Sequence, residues 1–150
     1  MAFFYFRALS AAGEYDRSYP LWDMWRDQLK LNMTTWLEDP VSERSDCHAW
    51  GAVPLYEFPC EVLGVNPAAP GYARILIEPK PGPLQWAEGS AITPRGAVHV
   101  AWRIEPETGR FRLRASGLQG LPVELRLPGG FVASCEGKDE IEIDRPLSGS

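Results

Sequence analysis

In the stretch TTWLEDPVSERSDCHAW, Thr34 to Trp50, a glutamate follows a tryptophan and a histidine opens the next apolar run. Glu38 and His48 stand ten positions apart, and the chain has only two histidines. A carboxylate against the aromatic wall of Trp36 would be partly desolvated, which suits it to general acid–base work. The other reading of Glu38 is an ordinary glutamate at a helix end, in solvent, where most charged side chains lie. His48 carries a similar choice. Close to a helix N-terminus it would be a neutral, hydrogen-bonding imidazole, or else a helix-start residue packed under Trp50 or Trp36.

Other chemistry is harder to build from these residues. His99 alternates with Val98 and Val100, which puts it on the solvent face of a strand, away from any reaction. Asp46, Cys47 and His48 are consecutive, so on a helix they point in different directions and cannot share a metal ion. No phosphate-cradling glycine loop and no nucleophile-elbow serine is present, and no cofactor or metal is expected. Tyr15, Trp22, Trp25, Trp36 and Trp50 could line a sugar site, since aromatic faces suit the apolar faces of pyranose rings. Tryptophans at helical spacing serve equally well as plain core.

The elements that would position Glu38 and His48 are helical. Residues 3 to 12 are apolar nearly all round, the mark of a helix buried on several sides, with Gly13 as its C-cap. A chain that opens on such a helix reads as a fragment of something longer. A second helix starts between Asp16 and Pro20, with Trp22, Trp25 and Leu29 on one face and Asp23, Arg26 and Asp27 on the other. These two form an antiparallel helical hairpin with a short loop. A third helix begins near Ser45, is kinked by Pro54 and Pro59, and ends at Gly64.

Beyond VNPAAPGY the period changes to two. Ile75 and Ile77, then Val98, Val100, Trp102 and Ile104, mark strands. Phe111, Leu113 and Ala115, then Val123, Leu125 and Leu127, and last Ile141 and Ile143, mark three more. PETG and PGG are turns between them. The expected fold is α+β, with helices followed by an antiparallel β-sandwich and a boundary near Asn66–Gly71.

Composition excludes several classes. The chain has 150 residues, 45% hydrophobic and 23% charged, with a net charge of −5 and no cluster of Lys and Arg. Nucleic acid is therefore not an expected partner. No apolar run approaches membrane-spanning length. The opening MAFFYFRALSAAGEYD lacks a basic leader and Arg7 interrupts its apolar run, unlike a signal peptide. Three scattered cysteines, Cys47, Cys60 and Cys135, suit a reduced, cytoplasmic setting better than a disulfide framework.

Taken in order, RALSAAGEYD, MTTWLED, RSDCHAWGAVPLYEFPCEVLGVNPAAPGY, ILIEPKPGPL and AEGSAITPRGAVHVAW resemble the C-terminal end of bacterial α-L-rhamnosidases, glycoside hydrolase family 78. The likeness is dense from Met33 to Trp102 and thins after Gly117. It implies that residues 1–65 are the last helices of an (α/α)6 catalytic barrel and residues 66–150 a C-terminal β-sandwich. It also implies inverting hydrolysis of terminal rhamnosyl linkages. Glu38 matches the family's general base, His48 a histidine that helps to bind the sugar, and Trp36 a wall of the subsite, with Trp50 in support. Leu37 stands where many members have tryptophan, and the loop between Glu38 and His48 is shorter than in many of them.

Inversion needs a second, protonated carboxyl across the scissile bond. In the resembling enzymes that acid comes from earlier barrel helices, so the chain alone is expected to be inactive. Its expected partners are a rhamnosyl glycoside once the barrel is complete, and a second copy or a complementing chain. The competing expectation is a non-catalytic carbohydrate- or protein-binding β-sandwich module with a helical association region.

Overall fold

The computed structural model describes residues 2–39, 41 and 45–147, which divide into two compact units, Met1–Tyr56 and Glu57–Ser150. The first unit begins with α1 (Ala2–Ala11), which buries Phe6 and Leu9. Its end is a Schellman motif: the Gly13 amide donates to the Ser10 carbonyl at 3.1 Å and the Glu14 amide to the Leu9 carbonyl at 2.9 Å. Phe4 and Tyr5 are exposed, so within this chain α1 is not buried all round as its composition suggests.

The expected short loop is instead a 3-10 helix, Tyr15–Trp22, which runs into α2 (Asp23–Lys30). Pro20 within that segment lacks the amide that a continuous α-helix would need. Trp22 and Trp25 are buried against Phe6, with ring centroids 4.8 and 5.9 Å away. Leu29 departs from the expected face. It is 59% exposed, and Gln28 takes the buried position. Asp23 and Asp27 do lie on the solvated side, paired with Arg26 and Lys30 at 2.7 and 2.8 Å.

The third helix does not begin near Ser45. His48 is extended (φ −124°, ψ 119°) and precedes a single 3-10 turn, Ala49–Gly51. Helix starts only at Pro54, in the one-turn α3 (Pro54–Glu57), and widens to a π-helical turn over Phe58–Val62. The reason is a competing use of the backbone. The His48 amide is bonded to the Trp36 carbonyl across the loop, and two prolines further on remove helix donors. Pro54 then sits where proline is tolerated, at the first position of a helix.

The second unit is a sandwich of two four-stranded sheets. One holds β1 (Val65–Pro67), β2 (Ile75–Ile77), β6 (Val123–Leu127) and β7 (Phe131–Cys135) in the order β1-β2-β6-β7. The other holds β3 (Trp86–Thr93), β4 (Gly96–Glu105), β5 (Arg110–Ser116) and β8 (Glu140–Pro146) in the order β3-β4-β5-β8. Inward residues of both sheets form one core, including Ile75, Ile77, Val98, Val100, Trp102, Phe111, Leu113, Val123 and Leu125. The Trp102 indole donates to the Val62 carbonyl at 2.8 Å, which ties the π-helical turn to that core.

One pairing corrects the expectation of an antiparallel sandwich: β2 and β6 are parallel. Three strands of the other sheet lie between them in sequence, and so long a crossover can return the chain in its original direction. At Gly64 the backbone has φ +82°, and a Cβ there would lie 2.2 Å from the Glu78 carbonyl carbon. Only glycine fits that crossing without strain.

Candidate functional site

Glu38 and His48 meet because residues 35–38 and 45–48 run past each other as a narrow ladder. The Glu38 amide donates to the Ser45 carbonyl and the His48 amide to the Trp36 carbonyl, each at 2.9 Å. Thr35 Oγ1 adds a bond to the Asp46 carbonyl. His48 Nδ1 then lies 3.7 Å from Glu38 Oε2, with 30% and 22% of the two side chains exposed. That is ion-pair range for a protonated imidazole and beyond a direct hydrogen bond. The spacing in sequence is thus the length of a returning loop.

The pair lines an open cleft of about 480 Å³ in the first unit. Phe4, Trp25 and Trp50 supply aromatic surface, and Gln28, Leu37, Asp39 and Gly51 complete most of its wall. Trp36 is not among the lining residues, although its backbone carries the ladder. Trp25 is both core and wall: its ring packs on Phe6 while its indole donates to the Gly51 carbonyl at 2.8 Å. Gly51 is a point of close approach. A Cβ there would be 2.6 Å from the Leu37 carbonyl oxygen and 2.7 Å from Trp36 Cβ.

Gln28 is the positioning residue that the sequence does not announce. It is 5% exposed, and its Oε1 accepts the Leu37 amide at 2.9 Å while its Nε2 donates to the Met24 carbonyl at 3.1 Å. The backbone immediately before Glu38 is thereby pinned to α2. The face assigned by apolar spacing hides this role, because it credits Leu29 and leaves an amide side chain unremarked.

The cleft contains a second carboxyl, Asp39, but this is the chain neighbour of Glu38 and its Oδ1 accepts the Val41 amide at 3.1 Å. Asp23 and Asp27 are tied to their helix neighbours on the surface. Among the described residues no group of three His, Cys, Asp or Glu side chains could hold a metal ion. His99, on the outer face of β4, is exposed, and its Nδ1 lies 2.7 Å from Ser90 Oγ.

Residues 64–141, just over half of the chain, match the family model of the bacterial α-L-rhamnosidase C-terminal domain. The chain belongs to this family. Solved structures agree with that membership. An α-L-rhamnosidase from Aspergillus terreus is 27% identical with a TM-score of 0.77, over 93% of this chain and 18% of that one. A family 78 rhamnosidase from Bacillus sp. GL1 is 31% identical with a TM-score of 0.74, over 84% of this chain and 14% of that one. The fold also matches a Streptomyces avermitilis α-L-rhamnosidase solved with L-rhamnose, at 22% identity and a TM-score of 0.70, over 94% of this chain and 16% of that one. This rhamnosidase-family chain therefore spans less than a fifth of the length of the structures it resembles. No curated sequence matches it significantly. No helix among the described residues is long and apolar enough to cross a membrane.

Proposed function

We propose that this chain is the C-terminal segment of an inverting α-L-rhamnosidase-like hydrolase and carries the general-base side of its active site. In this reading residues 1–65 are the closing helices of an (α/α)6 barrel and residues 66–150 its C-terminal sandwich. The single observation that carries it is the approach of His48 Nδ1 to Glu38 Oε2, 3.7 Å apart in an aromatic-walled cleft, in a chain of this family.

Glu38 would take the proton of a water attacking the anomeric carbon, and His48 would orient the sugar or that water beside it. Hydrogen bonds between catalytic groups are commonly long before substrate arrives, so 3.7 Å suits a pair that tightens on binding. Trp25, Trp50 and Phe4 would receive the apolar face of the pyranose, with Trp36 supporting the ladder. The general acid would come from outside the chain, because inversion requires a carboxyl on the opposite face with room for water between. Activity thus requires more than these residues.

The test is complementation. The chain is mixed with a rhamnosidase barrel that lacks its own last helices, and aryl α-L-rhamnoside turnover is followed. Turnover that appears with the wild-type chain and fails with Glu38→Gln supports the assignment. Equal turnover with both chains removes Glu38 from the chemistry.

A further inference from the structure

The family match concerns the second unit, yet the residues argued for catalysis lie in the first, and the sandwich has a surface feature of its own. The outer face of the β3-β4-β5-β8 sheet carries an open cleft of about 700 Å³. Strand register places Trp86, Arg103, Arg112 and Asp144 opposite one another in a single row across all four strands. In the next row Glu88 faces Ala101, whose methyl group leaves the middle of the sheet low between longer neighbours.

These side chains divide into two kinds. Arg112 is clamped by Asp144 at 3.1 Å and by Glu105 at 2.9 Å, which makes one wall of the cleft stiff. The side chains of Trp86, which is 61% exposed, of Arg103 and of Glu88 make no hydrogen bond or ion pair among the described residues. An outward tryptophan on a solvated sheet face gains nothing from the core. Beside it stand an uncommitted fan of donors on Arg103 and an uncommitted pair of acceptors on Glu88, both next to the dip at Ala101. Neither sign of charge dominates, so the face selects neither an anion nor a cation. A polyhydroxylated ring, with one apolar face and hydroxyls that both donate and accept, satisfies all three groups at once.

We propose that this face is a second saccharide-binding site, distinct from the Glu38 cleft, in which a pyranoside ring stacks on Trp86. Arg103 donates to its hydroxyls and Glu88 accepts from them, while Ala101 leaves room for the ring over the sheet. The site is independent of whether Glu38 acts in catalysis.

Each of the chain's six tryptophans carries one indole N–H, whose resonance is assigned by single Trp→Phe variants, so that each site is read at its own signal. The intact chain is titrated with methyl α-L-rhamnopyranoside and, separately, with methyl β-D-glucopyranoside. The Trp86 signal should move saturably with at least one of them. Arg103→Ala, read at the same resonance, should weaken that binding by about tenfold, the equivalent of losing roughly 1.4 kcal/mol. Binding should survive about 0.5 M NaCl, at which exposed charges are screened within a few ångströms. A Trp86 signal that neither sugar moves, an affinity unchanged in Arg103→Ala, or binding abolished by salt would each overturn the proposal. Shifts at Trp25 or Trp50 report on the other cleft alone.

Discussion

His48 Nδ1 lies 3.7 Å from Glu38 Oε2, and the two backbones reach that distance through reciprocal use of a ladder whose partners are Trp36 and Ser45. The roles proposed for the two residues predict different kinetics. A general base is needed for chemistry more than for binding, so Glu38→Gln in a completed enzyme should lower kcat by roughly 10²–10⁴-fold with a smaller change in KM. His48→Ala should weaken substrate binding as well as turnover. Steady-state kinetics on both variants check this, and near-normal kcat in Glu38→Gln would exclude the assignment.

Gln28 lines the cleft and also holds the backbone that leads to Glu38. Replacing it with leucine keeps volume but leaves the Leu37 amide without the acceptor it now has. A buried donor stripped of its partner costs about 1–3 kcal/mol. Urea unfolding of Gln28→Leu should show that loss. An unchanged midpoint would mean that the Leu37 amide finds another acceptor and that Gln28 does not hold the loop.

In the second unit, Lys80 Nζ lies 2.5 Å from Glu61 Oε2, and the Glu61 side chain is only 4% exposed. Removing the ammonium in Lys80→Met takes away the carboxylate's nearest positive charge in a place poor in water. The cost should be roughly 3 kcal/mol, at the lower end for a buried pair because Lys80 itself is partly exposed. The double variant Glu61→Gln/Lys80→Met should recover most of it. A single variant as stable as the parent would show that the pair contributes only at the surface level.

The sheet surface has its own pH dependence. A hydrogen bond from Arg110, with the charges of Arg110 and Arg112, holds the Asp144 carboxyl below the usual aspartate value. A group with a depressed folded value contributes its stability above the unfolded value, near 3.9, and loses it as pH falls through the folded one. Melting temperature followed from pH 7 down to about pH 2 should therefore drop less steeply at the acid end in Arg110→Ala than in the parent. Equal acid slopes would mean that the pairing is solvent-screened away.

The sequence carried the sandwich better than the site. Val98, Val100 and Trp102, like Phe111, Leu113 and Ala115, alternate cleanly because one face of each strand is buried and the other wet. β3 escaped the same reading because its inward positions Ala87, Gly89 and Ala91 are small, and β7 because Val132, its one large aliphatic residue, faces outward. The parallel pairing of β2 with β6 depends on which sheet each strand joins, and no local pattern encodes that. Glu38 and His48 were visible as residue types, but the helix expected to hold His48 was not formed, because its amide is spent on Trp36. Gln28 left no periodic signal at all. A polar side chain that stabilises one distant amide can be recognised only when both ends are seen together.

The isolated chain should neither hydrolyse an aryl α-L-rhamnoside nor behave as a monodisperse monomer. The first expectation follows from carboxyl placement. In the cleft the described acids are Glu38 and Asp39, neighbours in sequence, and Asp39 is turned to the Val41 amide. In the proposed inverting mechanism one acid set against water would be only half of the pair. The second follows from exposed surface in the first unit, where Phe4, Trp50, Leu55 and Tyr56 are 61%, 61%, 76% and 44% exposed. Phe3 packs edge-on against Phe4, Trp50 and Tyr56 at 5.7, 6.4 and 6.0 Å, so these rings form one connected patch. Burying each such side chain is worth roughly 1.5–3 kcal/mol, which favours covering the patch with a second copy or a complementing chain. Light scattering across a dilution series should give a mass that rises with concentration, and Phe4→Ser/Trp50→Ser should return it to the monomer. Turnover by a chain that stays monomeric at every concentration would refute both expectations, and would require a second catalytic carboxyl within these 150 residues.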